Sequence, residues 1–140
     1  TRGLWMGGFD VSATTWYTQT DYVTIAHTGN TADFGDLLVG SSVGCQMSND
    51  TRAIHAGGET TPAWATQNVI EYVTIAALGN AADFGDLSAT RRYHSAANSP
   101  TRGVVGGGTP TLNIIEFNFA NNNNSNIEKL ITKKQVYNQR

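Results

Sequence analysis

The chain has 140 residues, a net charge of −2 at neutral pH and a sequence isoelectric point near 5.8. That length suffices for one domain with a hydrophobic core, and the slightly acidic balance excludes an electrostatic basis for binding nucleic acid. Charged residues make up only 14% of the chain, and Gly, Thr, Asn, Ser and Ala take their place, a composition that favours short strands with tight turns and disfavours helices.

The first 40 residues predict part of a β-sheet. A strand that carries Trp5 ends in the glycine doublet Gly7-Gly8, and we expect Trp5 to lie in the core. The β-branched and aromatic stretch 22–26 predicts a further strand. The Gly29-Asn30 pair predicts a turn, and residues 32–37 predict a short strand after it.

Residues 41–90 predict a complete four-stranded antiparallel sheet. Residues 59–67 form its longest predicted loop and contain Pro62 and Trp64. The predicted strands either alternate polar and apolar residues or are rich in β-branched and aromatic residues: 44–48, 52–58, 68–76 and 82–87.

The remaining residues repeat this pattern imperfectly. Residues 91–126 form a degenerate third unit, in which Phe117 takes the place of Tyr72 and a run of asparagines replaces the Gly-Asn turn. Degenerate terminal units are typical of repeat arrays. The tail, residues 127–140, holds all three lysines of the chain, and we expect it to add a last strand or a short helix.

A period of 50 residues organises the chain. Residues 22–37 return as residues 72–87 with three differences in 16 positions, and a Thr-Arg pair recurs at positions 1, 51 and 101. A repeat of this length indicates a stacked or circular array of one supersecondary unit. Features copied in every unit are expected to serve the scaffold, and exceptions to the repeat are where function is expected.

Three features of the repeat resemble the kelch motif: a glycine doublet that ends a strand, a Tyr in the next strand and an aromatic residue before the following unit. Gly57-Gly58, Tyr72 and Phe84 fill these places, with Phe84 where many kelch repeats have Trp. A closer likeness is to the kelch-like repeats of virion structural and tail-fibre proteins of marine bacteriophages, cyanophages especially. Three segments carry it: 68–76, 79–87 and 99–108.

This resemblance implies an all-β fold of kelch-type β-propeller blades, each a four-stranded antiparallel sheet built from one 50-residue repeat. Residues 1–40 would form a partial blade, residues 41–90 a complete blade and residues 91–126 a degenerate third. The chain then supplies an incomplete ring. We expect it to be part of a longer polypeptide, or several copies to complete one ring.

Candidate binding residues follow from strand direction. In an antiparallel blade the loops after the second and fourth strands lie on one face, and here they carry aromatic and basic residues. Aromatic rings beside polar groups suit sugars and protein hot spots. The alternative is that the tryptophans pack under their own loops or between blades. The candidates are Trp16, Tyr17, Trp64, Arg91 and Arg92.

Other motifs indicate scaffold rather than chemistry. Asp33-Phe34-Gly35 and its copy at 83–85 spell the magnesium-binding triplet of protein kinases, but no kinase catalytic loop accompanies them. We interpret them as aspartates that bond their own backbone beside a glycine. Asn and Asp at three-residue spacing could bind calcium or cap turns, and we expect no metal site and no cofactor. The arginines of the Thr-Arg pairs are expected to bridge neighbouring blades: Arg2, Arg52 and Arg102.

The favoured hypothesis is a non-enzymatic structural and recognition module, a propeller on a phage tail fibre or virion surface that is extracellular when it acts. Its expected partners are other virion proteins, copies of itself and host surface polysaccharide, with no nucleic acid and no membrane insertion. One alternative is a bacterial kelch-repeat protein that binds carbohydrate or protein. Another is a fragment of a kelch-propeller enzyme such as a radical copper oxidase, although Cys45 is the only cysteine and the three histidines are dispersed.

Overall fold

The computed structural model describes residues 1–62, 64–110 and 115–119, and its regular elements there are all β-strands. The strands in chain order are β1 (Arg2–Asp10), β2 (Thr15–Thr24), β3 (Ala32–Asp36), β4 (Cys45–Ser48), β5 (Arg52–Thr60), β6 (Ala65–Thr74), β7 (Ala82–Asp86), β8 (Ser95–Asn98), β9 (Arg102–Gly106) and β10 (Ile115–Asn118).

The strands form three antiparallel sheets that follow the repeat. The first sheet has the order β1-β2-β3, the middle sheet β4-β5-β6-β7 and the third sheet β10-β9-β8. The predicted all-β fold of repeated antiparallel sheets is therefore confirmed. The described part of the chain shows no closed ring of sheets. The predicted tail, residues 127–140, and the asparagine run lie outside the described residues.

The prediction that residues 59–67 form a loop is wrong at both ends of that range. β5 continues to Thr60 and β6 begins at Ala65, so only a tight turn separates them. β5 and β6 stay paired on both sides of a β-bulge between Ala56 and Gly58, where the register of the two strands shifts. The glycine doublet makes this bulge possible, since Gly57 and Gly58 have φ values of 61° and 109°, which side chains with a Cβ rarely adopt.

The core lies between successive sheets. Met6, Phe34 and Leu37 of the first unit pack with Ala53 and Val73 of the middle sheet. The opposite face of the middle sheet packs on the third unit through a second buried cluster. Because side chains alternate along a strand, β5 contributes Ala53 to one cluster and Ile54 to the other, and the middle sheet is covered on both faces. The second cluster contains Cys45, Met47, Ile54, Ala56, Ile70, Phe84, Leu87, Val105 and Phe119.

The prediction that Trp5 lies in the core is wrong, because its side chain is 56% exposed. Its repeat counterpart His55 is 2% exposed. His55 shares a sheet face with Gln46, whose side-chain nitrogen donates to the carbonyl of Met6 at 2.7 Å. The first sheet therefore covers this face of the middle sheet, whereas no described sheet covers the Trp5 face. Burial at this repeat position depends on a preceding sheet.

Two of the repeated arginines bridge units, as predicted. The Arg2 guanidinium donates to the Ile75 carbonyl at 2.5 Å, and the Arg52 guanidinium donates to the Phe119 carbonyl at 2.6 Å. Each guanidinium also lies over a tyrosine ring of its own sheet, Tyr22 at 4.9 Å and Tyr72 at 4.6 Å, within cation–π range. The Thr-Arg pair thus ties one repeat to the next.

Candidate binding surface

Two turns from successive sheets meet and bring aromatic rings together. Phe9 and Trp16 are cross-strand partners beside the β1–β2 turn, and Trp64 lies in the β5–β6 turn with a φ of 62°. The ring centroids are 4.5 Å apart for Phe9 and Trp16, 4.7 Å for Phe9 and Trp64, and 5.1 Å for Trp16 and Trp64. Tilted and edge-to-face contacts at these distances are attractive, so the rings form one aromatic cluster.

The aromatic cluster has a buried base and an exposed top. Trp16 is 8% exposed, whereas Trp64 is 48% exposed and the adjacent Tyr17 is 44% exposed. The alternative prediction, that the tryptophans pack between units, is therefore correct for Trp16. About half of the Trp64 side chain faces solvent. Because Phe9 and Trp16 already orient the Trp64 indole, a partner that covers it would restrict little side-chain freedom.

Asp10 ends β1 and places a carboxylate beside Tyr17, on the face of the first sheet opposite to Phe9 and Trp16. Its Oδ1 accepts hydrogen bonds from the Ser12 hydroxyl at 2.6 Å, the Ser12 amide at 2.8 Å and the Ala13 amide at 3.2 Å. Its Oδ2 lies 3.5 Å from the Tyr17 hydroxyl oxygen. The Ser12 hydroxyl, followed by the two backbone amides, lowers the pKa of Asp10 below its usual 3.8. This face therefore offers a fixed anionic acceptor next to the exposed Tyr17 ring.

Arg91 is not a surface residue, and its prediction as a ligand contact is corrected. Its side chain is fully buried, and its guanidinium donates to the Gly107 carbonyl at 3.2 Å. Its backbone is also fixed, because its amide donates to the Gln67 carbonyl and its carbonyl accepts from Gly58. Burial lowers the pKa of Arg91. The physical reason is that the segment between β7 and β8 folds back under the β5–β6 hairpin, where the third unit covers it.

Arg92 reaches the surface in part but is paired within the protein. Its guanidinium forms an ion pair with Glu59, and the side chains are 33% and 1% exposed, respectively. The guanidinium carbon also lies 5.2 Å from the centre of the Tyr93 ring. Its charge is therefore committed to a buried carboxylate. Of the predicted set, the structure brings Trp16 and Trp64 together, whereas Tyr17, the next residue along β2, faces the other side of the first sheet beside Asp10.

Other ionisable groups lie inside the middle sheet. His55 Nδ1 is 3.5 Å from a Glu71 oxygen, and the second Glu71 oxygen accepts the Leu38 amide at 2.6 Å. The His94 ring lies 2.9 Å from the Ala56 carbonyl, and burial lowers the pKa of His94. Burial raises the pKa of Cys45 to about 12, so its thiol stays protonated and unreactive. These groups face neighbouring protein rather than solvent.

Of the repeated Asp-Phe-Gly triplets, the second shows the predicted bond between the aspartate and its own backbone. Phe34 and Phe84 are buried, and the Gly85 amide donates to the Asp83 side chain at 3.1 Å. Of the asparagines for which capping was weighed against calcium binding, Asn80 caps backbone, because its side-chain oxygen accepts the Asp36 amide at 3.1 Å. Among the described residues, no three His, Cys, Asp or Glu side chains lie together as a metal site. Within the same ranges no helix is long and apolar enough to span a membrane.

Sequence reasoning missed Phe9 and Asp10. Both are exceptions to the repeat, because a shift of 50 positions replaces them with Glu59 and Thr60. Phe9 is the ring that contacts both tryptophans. Comparing the repeats position by position would have found this signal, since the two tryptophans also occupy positions that differ between copies.

Comparisons with known proteins add no assignment. No protein-family model matches the chain, and no curated protein has a significant sequence match to it.

Proposed function

We propose that the chain is a non-enzymatic recognition and structural module, built of kelch-type propeller blades and displayed on a bacteriophage tail fibre or virion surface. The exposed part of the aromatic cluster is its contact surface for host polysaccharide or a neighbouring virion protein. The observation that carries the recognition role is the half-exposed Trp64 ring, which is held in place against Phe9 and Trp16.

The repeated sheets support the scaffold part of this proposal. Each described interface between sheets is formed by the opposite faces of equivalent strands, so further units can add in the same way. β4 and β8, the first strands of successive units, lie side by side, as strands nearest a common axis would. The resemblance of the repeat sequences to those of phage virion proteins supports the location on a virion, which the fold alone does not address.

The distribution of polar groups supports binding rather than catalysis. Glu59 and Glu71 are buried and bonded to neighbouring units, and Arg91 is buried with its guanidinium bonded to the Gly107 carbonyl. The groups that remain exposed are the Trp64 ring of the aromatic cluster and, on the other face of the first sheet, the Tyr17 ring beside the Asp10 carboxylate. Rings offer apolar faces to sugar C–H groups or to protein side chains, and a fixed carboxylate accepts hydroxyl or amide donors.

Two measurements test the proposal. Immunogold electron microscopy with antibodies against the chain should label tails or capsid surfaces of virions that carry its coding sequence. The labelled chain should also bind envelope polysaccharide or intact cells of the host, and Trp64→Ala should weaken this binding about 30-fold, since truncating an aromatic hot spot costs about 2 kcal/mol.

Trp5→Ala is the matched control for the binding assay. Trp5 is also an exposed tryptophan, 56% against 48% for Trp64, but it lies outside the aromatic cluster. Equal losses in the two variants would refute the assignment of the surface. Unlabelled virions, together with antigen confined to the host cell, would refute the virion location.

A further inference from the structure

The first sheet lacks a strand that the middle sheet has. β1 is hydrogen-bonded to β2 alone, whereas its repeat counterpart β5 lies between β4 and β6. The free edge of β1 thus pairs with no strand among the described residues. An unpaired edge presents a row of backbone donors and acceptors that can template another strand.

β4 shows what would fit at that edge. In the middle sheet Met47 opposes Ile54 and Ser48 opposes Ala53. A shift of 50 residues maps Ile54 and Ala53 onto Leu4 and Gly3 of β1. A strand at the equivalent place would lie antiparallel to β1, with its third residue opposite Leu4.

The space for such a strand is present. A cleft of about 240 Å³ lies between β1 and β4, lined by Gly3, Leu4, Met6, Gln46 and Met47 among others. A wider cleft of about 760 Å³ shares Arg2 and Ser48 with it and extends to the β4–β5 turn. Together the clefts form a groove that follows the free edge of β1 as far as Arg2 and then opens between the β4–β5 and β8–β9 turns.

β4 forms the wall of the groove opposite β1, and the next unit shows how two such strands pack beside each other. In the next unit β8 lies beside β4, and the two are tied at their ends because Asn98 donates to the Ser48 carbonyl at 2.6 Å and Asn49 donates to the Pro100 carbonyl at 3.1 Å. A strand bound in the groove would lie beside β4 in the same way as β4 lies beside β8. The wall is uncharged along β4, and the Arg2 guanidinium already bonds the Ile75 carbonyl.

We propose that the groove along β1 binds an extended, uncharged peptide strand supplied by another polypeptide chain, with the alternating pattern of residues 44–48. The strand completes the first sheet by antiparallel pairing with β1, and its alternate side chains face the Leu4 and Met6 side of the sheet. Backbone hydrogen bonds provide affinity, and the alternate side chains provide specificity. This interaction is separate from ligand recognition at the aromatic cluster.

Hydrogen–deuterium exchange of the full 140-residue chain tests this proposal. The probe is a synthetic peptide of residues 44–49, which carry no charged side chain, with Cys45 replaced by the Ser found at position 95. Peptide at saturation should slow amide exchange in β1, and a scrambled peptide of the same composition should not. Exchange in β1 that is unchanged at millimolar peptide would overturn the proposal.

N-methylated peptides provide a control that leaves the protein intact. Amides at alternate positions of a strand point to opposite edges, so methylating one alternating set should weaken binding about tenfold or more through lost hydrogen bonds. Methylating the other set should have a smaller effect. Equal effects of the two sets would mean that the peptide does not pair as a strand.

Disulfide trapping tests the register. In a Leu4→Cys, Cys45→Ser chain, a peptide with Cys at the position of Met47 should cross-link fastest. A Cys one residue away faces the opposite side of the sheet and should react about tenfold more slowly or less. Uniform cross-linking rates would refute the register. Concentration-dependent protection of β1 without peptide would instead identify a second copy of the chain as the occupant and overturn the proposal.

Discussion

Replacing Arg92 distinguishes a structural role of this arginine from a ligand-binding role. Glu59 is fully buried and its Oε1 pairs with the Arg92 guanidinium. The Glu59 Oε2 is buried without a hydrogen-bond partner among the described residues. In Arg92→Ala the carboxylate loses its only described cation, whereas in Glu59→Gln the arginine, one-third exposed, can turn to water.

The expected magnitudes are therefore unequal. Breaking a buried ion pair from one side costs about 3–5 kcal/mol, and partial exposure of Arg92 reduces this, so Arg92→Ala should lose about 3 kcal/mol of unfolding free energy. Glu59→Gln keeps an acceptor for the arginine and should lose about 1–2 kcal/mol. The double variant should be no less stable than Arg92→Ala alone, because it removes the unpaired charge.

Urea denaturation followed by tryptophan fluorescence measures these differences, with unchanged m-values required for the comparison. Arg92→Lys is the conservative control and should recover part of the loss, since it keeps the charge without the planar guanidinium. If Arg92→Ala unfolds within about 0.5 kcal/mol of the natural chain, as surface substitutions do, the ion pair is not structural. Arg92 would then return as a ligand-binding candidate.

Two further predictions concern the middle sheet. Gly57→Ala should destabilise the chain by about 3 kcal/mol, because left-handed backbone strain adds to a clash: the new Cβ would lie 2.8 Å from His94 Cε1 and 2.9 Å from the Arg91 carbonyl oxygen. Its repeat counterpart Gly107→Ala, with φ of 74° and no described atom within 4 Å, should cost only about 1 kcal/mol, and equal losses in thermal or urea unfolding would contradict the clash. Burial lowers the pKa of His94 below its usual 6.5. As the pH falls, the unfolded chain therefore protonates this histidine before the folded chain does. The contribution of His94 to the free energy of unfolding is complete above pH 6.5 and declines as the pH falls below that value. His94→Gln should flatten the decline, and an unchanged pH profile would show that His94 does not cause it.

The repeat determined much of the fold without the structure. The 50-residue period and the turn signals gave the number and order of strands in the middle unit. Alternating and β-branched residues predicted where its strands lie, because strand periodicity is a local property of the chain. The arginine of the Thr-Arg pair was predicted to bridge units, and Arg2 and Arg52 do so. These features can be predicted from the repeats because each unit bonds to its neighbour in the same way.

Tertiary structure alone decided what each position faces. Trp5 and His55 are equivalent in sequence, yet one is exposed and the other buried, because only His55 has a preceding sheet against it. Trp16 and Trp64 stand at unaligned positions and still meet, since turns of adjacent sheets converge at one face. Arg91 was expected at the surface and lies beneath the β5–β6 hairpin. Burial and side-chain contact between sheets depend on their packing in three dimensions, which strand periodicity does not encode.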